Sequence, residues 1–520
     1  MPPKRRASSP AQREQEKDGE EGKMQRLDET PTPSVTEVVH DSVREEEEEE
    51  EEEEVINPDA VQPTTLYLDT VDRTRLDFDF EKLCSVSLSN VNVYACLVCG
   101  KYFQGRGKSS HAYFHSLDAS HYIFINLETL KVYCLPDGHE IQDPSLDDIK
   151  YVLAPSFTPD LVRRLSSPDL PPSYDLQRKP YYPGYIGLNN IKKNDDINVI
   201  LQCLAHVNPL RDWLLLADLD KLPRLEKRLA ELLRKMWNAK AFKGQVSPHE
   251  LIQEVSSVSQ RRFVLGQLAD PAEVLVWLLN RLHRDLGGSR RPRSSKVAQI
   301  FQGEMLVESQ EIPPVQLLSR SDQDQNEMEG IVDASRHMDP TREIKQTKSH
   351  FFLLTLDLPP TPLFQDEQEK NIIPQVALSA LMAKYDGTSP VETHGTLRRY
   401  KILHPPPYLI VHIRRFKKTG WSKEKNPTIV TFPLSQVPLF PYGEKGEKIA
   451  QYDLIATISH EGSNEDAEEG AYRVHVRRGE EQWLLLQDLY VEECVPQMIF
   501  LSESYLQVWK RREDAVQDDA

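Results

Sequence analysis

One short stretch in the first quarter of the chain is rich in residues that bind metals. Cys96 and Cys99 form a Cys-x-x-Cys pair that Gly100 follows directly. Three histidines come soon afterwards, namely His111, His115 and His121. Zinc takes four nitrogen or sulfur ligands in a tetrahedron, and a Cys-x-x-Cys turn supplies two thiolates from one side. The spacing therefore predicts a structural zinc site; the alternative is free thiols beside histidines with ordinary core or surface positions.

Cysteine usage and apolar patterning limit the class of protein. Six cysteines in 520 residues do not suit the disulfide framework of a small secreted protein. The start of the chain has no apolar segment of a signal peptide, and no apolar run approaches the length that crosses a bilayer. We therefore expect a soluble intracellular protein with no membrane partner. Lys4, Arg5 and Arg6 suit either a nuclear import signal or an ordinary solvated terminus.

The charge balance bears on the kind of partner. Acidic residues outnumber basic ones by 82 to 63, and residues 45–54 contribute ten glutamates. The formal net charge of −19 argues against broad binding to the phosphate backbone of nucleic acids. A basic cluster at residues 290–296 leaves a local RNA contact open, with a solvated loop as the alternative.

The composition changes along the chain in three steps. Residues 1–60 are rich in Glu, Pro, Ser and Arg, so we expect a disordered acidic tail that cannot bury enough apolar surface to fold. Residues 64–160 are aromatic, and residues 122–127 have the composition of a strand. A proline-rich join then leads to a large domain over residues 180–513.

The large domain changes from helical to strand-like patterns. Leucines recur at helical spacing over residues 225–233, and residues 272–285 form a second apolar helical segment. Residues 351–356 and 409–413 instead resemble buried strands. A helical part followed by a strand-rich part predicts an α+β fold.

The metal-binding stretch resembles the zinc-finger ubiquitin-binding domain of ubiquitin-specific proteases. Both contain the Cys-x-x-Cys-Gly turn, a Gly-Arg pair at residues 105–106 and a Cys that follows an aromatic residue at 133–134. The resemblance implies a small α/β finger domain with one structural Zn²⁺ ion. Its four ligands would be Cys96, Cys99, His115 and His121. A further zinc site of the family would be empty, because Ser87 and Gln104 stand at two of its cysteine positions.

Residues 187–204 match, without a gap, the segment that carries the catalytic cysteine of ubiquitin-specific proteases. Eight positions fall in register, namely Gly187, Leu188, Asn190, Asn198, Leu201, Gln202, Cys203 and Leu204. Residues 270–275, 408–416 and 452–460 resemble later motifs of the family in the same order. The resemblance implies a ubiquitin-specific-protease-like, papain-like fold for the large domain.

The catalytic positions of that family hold residues unsuited to catalysis. Asp195 stands at the nucleophile position, Ala471 at the position of the base and Gln487 at the orienting position. A carboxylate is a far weaker nucleophile toward an amide than a thiolate, and a methyl group cannot accept a proton. Asn190 alone is present, at the oxyanion-stabilising position. The resemblance therefore implies an inactive deubiquitinase-like protein with no catalytic residue.

Two other interpretations of this region stay open. Cys203 is a candidate alternative nucleophile, in which case the protein would be an active deubiquitinase. Asp195 and Asp196 form either a metal or acid pair, or two carboxylates at the positive end of a helix dipole, which we favour.

The combination of motifs resembles the catalytically inactive ubiquitin-specific-protease-like splicing factors associated with the U4/U6.U5 tri-snRNP. The resemblance implies a nuclear scaffold that supports tri-snRNP assembly or stability through protein contacts, with the U5 helicase and the U5 scaffold subunit among its neighbours. The alternative is an adaptor that binds ubiquitin weakly and does not cleave it. Arg106 is present at the family's ubiquitin-tail pocket, but Leu135 replaces an aromatic residue there.

Overall fold

The structure is a computed structural model that describes most of the chain beyond the predicted acidic tail. The described ranges are 67–167, 170–312, 337–360, 373–393, 395–419, 422–440, 450–462 and 470–512. The tail predicted over residues 1–60 lies outside these ranges. None of the helices within them combines the length and apolar character that a bilayer crossing needs.

The N-terminal module is an antiparallel sheet in the order β2-β1-β3-β4-β5 with helices around it. Its strands are β1 Val93–Cys96, β2 Tyr102–Gln104, β3 Ile123–Asn126, β4 Val132–Cys134 and β5 His139–Ile141. Its helices are α1 His111–Ala119 and α2 Asp147–Leu153, whereas the next helix, α3 Pro159–Leu165, buries Val162 and Leu165 in the core of the large domain. The predicted strand at 122–127 is confirmed as β3, which is buried on both faces because Ile123 and Ile125 pack into one cluster and Phe124 into another.

The large domain begins with short strands and a group of helices. The strands are β6 Ser173–Tyr174, β7 Pro180–Tyr181, β8 Gly187–Leu188 and β9 Gln245–Val246. The helices are α4 Asp195–Ala205, α5 Asn208–Leu216, α6 Arg224–Met236, α7 His249–Val258, α8 Pro271–Asp285 and α9 Lys296–Phe301. The leucine pattern at 225–233 and the segment at 272–285 are confirmed as α6 and α8, whose apolar faces join one hydrophobic core.

Two sheets make up most of the strand-rich part. A four-stranded sheet has the order β11-β10-β15-β14, with β10 Gly303–Glu311, β11 Lys345–Phe351, β14 Asp386–Thr393 and β15 Thr396–His404. A larger sheet runs β12-β16-β25-β21-β22-β23-β24, with β20 paired to β21. Its members are β12 Leu354–Asp357, β16 Tyr408–Arg414, β20 Val437–Pro438, β21 Gln451–Gly462, β22 Gly470–Arg478, β23 Gln482–Gln487, β24 Tyr490–Cys494 and β25 Ser504–Arg511.

The remaining elements are short. They are β13 Gln375–Ala377, β17 Phe416–Thr419, β18 Ser422–Lys425, β19 Ile429–Thr431, α10 Leu378–Met382 and α11 Pro496–Leu501. The strand-like run predicted over 351–356 is confirmed in part, since Phe351 ends one strand, Leu354 begins the next, and Phe352 and Leu353 lie between them. The chain leaves the four-stranded sheet after β11 and enters the larger sheet at β12, so the two halves of this apolar run belong to different sheets. The strand predicted at 409–413 is confirmed within β16.

The N-terminal module packs directly against the helices of the large domain. Phe242 from the large domain joins the hydrophobic core of the module. Around it, Lys235 Nζ lies 3.3 Å from a carboxylate oxygen of Asp79, and Gln253 donates to Glu81 at 2.7 Å. These contacts hold the module in a defined place beside α6 and α7.

Glu226 on α6 is a buried carboxyl group that predicts a pH-dependent stability. Its side chain is fully buried, and neither oxygen has a hydrogen-bond partner among the described residues. Burial raises the pKa of Glu226 from 4.5 to about 7. Between about pH 4.5 and pH 7 the folded state binds more protons than the unfolded state. The free energy of unfolding therefore falls as the pH rises through this range. Glu226→Gln is expected to be more stable than the parent by about 2–3 kcal/mol above pH 7.

Urea denaturation of both proteins from pH 5 to pH 8 measures this effect. Glu231→Gln is the matched control on the same helix, because Glu231 is partly exposed and pairs with Arg228 at 2.8 Å. The control is expected to change stability by less than about 1 kcal/mol. Parallel pH profiles for the parent and Glu226→Gln would contradict the prediction.

Candidate functional site

The structure brings the four predicted zinc ligands together in the N-terminal module. Cys96 ends β1, and Cys99 lies in the turn that follows. His115 lies on α1, and His121 comes just after the end of that helix. The ligand atoms of these four residues all lie within 4.8 Å of one another.

The distances within this group fit a tetrahedral zinc ion. The Nε2 atom of His115 lies 3.1 Å from Nδ1 of His121 and 3.4 Å from Sγ of Cys99. Sγ of Cys96 lies 3.6 Å from Nδ1 of His121. Zn–S bonds of about 2.3 Å and Zn–N bonds of about 2.0–2.1 Å place tetrahedral ligands about 3.3–3.8 Å apart. The donor set therefore fits a closed structural zinc site.

Two local features describe the Cys-x-x-Cys turn, namely the backbone conformation of Gly100 and the pKa values of the two thiols. Gly100 adopts a left-handed φ of 76°, and a Cβ atom there would lie 2.2 Å from the carbonyl oxygen of Arg75, so only glycine fits this turn. The hydrogen bond between the two thiols lowers the pKa of Cys99 and raises the pKa of Cys96, so Cys99 is the thiol of the pair that ionises first.

The residues at the positions predicted for a second, empty zinc site contact one another or the backbone. Ser87 Oγ donates to Oε1 of Gln104 at 2.8 Å, so these two residues contact each other directly. The Cys84 sulfur accepts backbone N–H groups from Val86 and Ser87 at 3.5 and 3.4 Å. A further group, Cys134, Asp137 and His139, also brings its ligand atoms within 4.8 Å, but it offers three ligands of the four that zinc requires.

The predicted catalytic cleft, defined by the nucleophile position Asp195 and the base position Ala471, lies where the start of α4 meets β22. Asp195 is the first residue of α4 and is 5% exposed. Its Oδ2 accepts a hydrogen bond of 3.0 Å from the backbone N–H of Tyr472, the peptide bond that follows Ala471. The structure therefore brings Asp195 and Ala471 together. Burial raises the pKa of the Asp195 carboxyl group.

Asp196 is fixed in a similar way. Its carboxylate accepts backbone N–H groups from Ala269 at 2.8 Å and from Ile197 at 2.9 Å. Burial raises the pKa of Asp196 to about 6. Both carboxylates lie in the first turn of α4, where the helix dipole favours negative charge.

A network of asparagines and one aspartate closes the loop before α4. Asn190 donates from Nδ2 to Oδ2 of Asp488 at 2.9 Å, and Asn198 donates to Oδ1 of the same carboxylate at 2.9 Å. Asn194 donates to Oδ1 of Asn198, also at 2.9 Å. The amide group of Asn190 is thus held by a protein carboxylate. Asp488 was not among the residues singled out from the sequence, although it directly follows Gln487.

Three further residues of the region, Gln487, Cys203 and His475, lie in less reactive places. Gln487 ends β23 and pairs with Tyr490 of β24. Cys203 lies within α4 at 2% exposure, and burial raises the pKa of its thiol. His475 on β22 is also buried, which lowers the pKa of its imidazole to about 4. Because its thiol pKa is raised, Cys203 does not readily form a thiolate.

The contact of Asp195 with Tyr472 predicts a structural role for this carboxylate. Asp195→Ala leaves a buried N–H without an acceptor, and we expect it to lower the free energy of unfolding by about 1–2 kcal/mol. Asp195→Asn retains an acceptor oxygen and removes the buried charge, so it is expected to stay close to the parent. Urea denaturation of the three proteins distinguishes these cases. Equal losses in the alanine and asparagine variants would contradict the role of the hydrogen bond.

Family models match both parts of the chain. The model described as "Ubiquitin carboxyl-terminal hydrolase" matches residues 186–509. The model described as "Zn-finger in ubiquitin-hydrolases and other protein" matches residues 84–146. The first match covers more than half of the chain and includes the cleft at Asp195, and the second includes all four predicted zinc ligands.

Several similar proteins extend over most of the chain. The probable mRNA-splicing protein ubp10 of Schizosaccharomyces pombe is 46% identical over 488 residues, covering 91% of this chain and 93% of the relative. Human ubiquitin carboxyl-terminal hydrolase 39 is 44% identical, covering 92% of this chain and 85% of its own length. The pre-mRNA-splicing factor SAD1 of Saccharomyces cerevisiae is 28% identical, covering 87% of this chain and 94% of the relative.

A solved structure agrees with these relationships. It is described as the crystal structure of an essential yeast splicing factor, is 27% identical, and superposes with a TM-score of 0.67. The match covers 86% of this chain and all of the solved chain. The chain therefore belongs to the ubiquitin carboxyl-terminal hydrolase family, and homologues within that family are named as splicing factors.

Proposed function

We propose that this protein is a non-catalytic scaffold of pre-mRNA splicing that supports the assembly or stability of the U4/U6.U5 tri-snRNP through protein contacts. The observation that carries the proposal is the hydrogen bond from the Tyr472 backbone to the Asp195 carboxylate. A protease of this family would hold a thiol close to an imidazole at this place. This chain instead has the Asp195–Tyr472 hydrogen bond, beside the methyl group of Ala471.

The chemistry of the cleft supports the absence of proteolysis. Acyl transfer to a thiol requires a thiolate, a base in hydrogen-bond reach and donors for the oxyanion. Asp195 is a poor nucleophile toward an amide, Ala471 offers no base, and the side chain of Gln487 has no imidazole to orient. The amide of Asn190 donates to Asp488, so its stabilising group is already engaged within the protein.

The names of the similar proteins support a nuclear location and a role in splicing. Proteins named as splicing factors act on pre-mRNA, which is processed in the nucleus, so we place this protein there. The proposed neighbours are the U5 helicase and the U5 scaffold subunit, which follow from the resemblance to tri-snRNP-associated members. The net negative charge of the chain favours contacts with proteins over contacts with bare RNA.

We also propose that the N-terminal module holds one zinc ion through Cys96, Cys99, His115 and His121. Four protein ligands leave no open coordination position, so the ion would stabilise the fold without binding substrate. The interatomic distances of 3.1–3.6 Å support this assignment.

Affinity purification of the tagged full-length protein from nuclear extract tests the proposed setting. Identification of the co-purifying small nuclear RNAs is expected to give U4, U5 and U6 together. Asp195→Asn is a suitable comparison, because it preserves the fold and is expected to recover the same RNAs. Recovery of ubiquitin conjugates without these RNAs would refute the proposal.

A second candidate function is a ubiquitin-reading adaptor. The observation in its favour is Arg106, whose guanidinium carbon lies 4.7 Å from the centroid of the Tyr133 ring at the family's tail pocket. Leu135 weighs against it, because this side chain is fully buried in the module and presents no aromatic face to a ligand. Titration with ubiquitin and with ubiquitin lacking its C-terminal tail separates the two functions. Micromolar affinity that depends on the tail would favour the adaptor.

A further inference from the structure

A polar cavity of about 550 Å³ lies between the helices and the larger sheet, away from the cleft. Its lining includes His206, Arg211, Arg477, Arg478 and Lys510. Ala471 lies at the start of β22, whereas Arg477 and Arg478 lie at its end. The six residue steps from position 471 to position 477 separate the cleft from the cavity by about 20 Å along the strand. The cavity is therefore a separate feature of the large domain.

One wall of the cavity holds a buried hydrogen-bond acceptor. His206 is 8% exposed, and its Nδ1 lies 2.7 Å from the carbonyl oxygen of Gln202. Since a carbonyl only accepts, Nδ1 carries the proton, and Nε2 is an acceptor with no partner among the described residues. Burial lowers the pKa of His206 to about 4, so the ring is neutral at physiological pH. The Nε2 atom has no exposed surface, and the rings of Tyr185 and Trp237 pack against the imidazole, so His206 forms a neutral part of the cavity wall.

Three cationic groups at the cavity have no carboxylate partner within the described part of the chain. The Arg477 guanidinium donates to the backbone carbonyl of Glu480 at 3.1 and 2.6 Å. Arg478 donates to the backbone carbonyl of Leu170 at 2.9 Å. Lys510 is exposed at the rim. Arg478 also stacks on the Tyr182 ring, with its guanidinium carbon 3.4 Å from the ring centroid. These contacts orient the two arginines without pairing either one with a carboxylate among the described residues.

The other two cations of the lining are already paired. Arg211 contacts Asp212 at 2.6 Å and lies 4.5 Å from the Trp237 ring centroid, which makes it part of the cavity wall. Arg512 pairs with Asp453 at 2.7 Å. The charge available to a ligand therefore comes from Arg477, Arg478 and Lys510.

We infer that this cavity binds a phosphorylated peptide segment of a partner protein. A phosphoserine or phosphothreonine carries a charge close to −2 near neutral pH and accepts several charge-assisted hydrogen bonds, which suits three cations better than a single carboxylate does. The inference deepens the proposed scaffold function, because it specifies how a protein partner is recognised.

Two acidic residues favour a peptide over a polyanion. Glu480 and Glu481 also line the cavity, and both are exposed with no ion pair among the described residues. They would repel a second phosphate, as found in RNA or an inositol polyphosphate, and would attract a basic residue beside a phosphorylated one. The expected ligand therefore has a phosphoserine next to an arginine.

Fluorescence anisotropy with the full-length protein tests this inference. The probe is a labelled synthetic peptide with one phosphoserine flanked by arginines, compared with its unphosphorylated form. We expect the phosphorylated peptide to bind at least tenfold more tightly. Lys510→Glu is expected to weaken its binding at least tenfold. Lys401→Glu is the matched control, because Lys401 is an exposed lysine of the four-stranded sheet.

A second variant tests one of the two arginines. Arg477→Gln removes a positive charge at the cavity, and it is expected to weaken phosphopeptide binding several-fold with a retained thermal unfolding transition. Equal binding of the two peptides, or equal effects of Lys510→Glu and Lys401→Glu, would overturn the inference. Binding of inositol hexakisphosphate or single-stranded RNA in preference to the phosphopeptide would also overturn it. Phosphopeptide binding without recovery of U4, U5 and U6 would instead refute only the proposed splicing function.

Discussion

Cys99→Ala is expected to lose the bound zinc ion and to unfold the N-terminal module around β1 and α1. The substitution removes one of the four proposed ligands, and Cys99 lies 3.4 Å from Nε2 of His115 at the centre of the group. Structural zinc contributes about 10–16 kcal/mol of apparent binding free energy in zinc-finger peptides, and this is also folding free energy. Zinc content is measured by atomic emission, and unfolding of the module by limited proteolysis.

Cys84→Ala is the matched control for this prediction. Cys84 is a buried cysteine of the same module whose sulfur accepts two backbone N–H groups and lies outside the proposed ligand set. The parent and the control are expected to contain one zinc ion per chain, and Cys99→Ala none. A full zinc complement in Cys99→Ala would contradict the assignment, as would equal loss of zinc from both variants.

Arg415→Ala is expected to destabilise the large domain by about 3–5 kcal/mol. The Arg415 side chain is 1% exposed, and its guanidinium donates to three backbone carbonyls. The acceptors are Ser504 at 2.6 Å, Asn426 at 3.0 Å and Thr428 at 2.7 Å. Alanine would leave these carbonyls unpaired and open a cavity between strands of the core.

Arg414→Ala provides a control from the neighbouring position. Arg414 is 58% exposed and pairs with Asp357 at 2.9 Å, so its loss is expected to cost less than about 1 kcal/mol. Guanidinium-induced unfolding followed by tryptophan fluorescence measures both variants. Similar free energies of unfolding for Arg414→Ala and Arg415→Ala would contradict the bonding role assigned to the buried guanidinium.

Much of the architecture could be predicted because it depends on local patterns. The leucines of α6 repeat at helical spacing, and the strand at 409–413 is a continuous apolar run. Cys96 and Cys99 are close in sequence, and His115 and His121 lie on or just after one helix, so their type and spacing already suggest convergence. The resemblance to family motifs also placed Asp195 beside Ala471, and the structure brings the two positions together.

Other features depend on contacts that sequence patterns do not contain. Asp488 lies 298 residues from Asn190 and 290 from Asn198, so nothing local indicates that it closes the loop before α4. The break at Phe352 and Leu353 occurs inside an apolar run, because the chain changes sheets there. The unpaired Nε2 atom of His206 likewise follows from the packing of distant segments, and the sequence offers no signal for it.

The most direct test of the account is hydrolysis of isopeptide-linked di-ubiquitin by the purified full-length protein, with an active ubiquitin-specific protease as the positive control. The proposal that Asp195, Ala471 and Gln487 stand at the three catalytic positions predicts no cleavage above the level of a buffer blank and no covalent labelling by a ubiquitin-tail electrophile. Turnover that is abolished by Cys203→Ser, or covalent labelling at Cys203, would contradict the account and identify this protein as an active deubiquitinase.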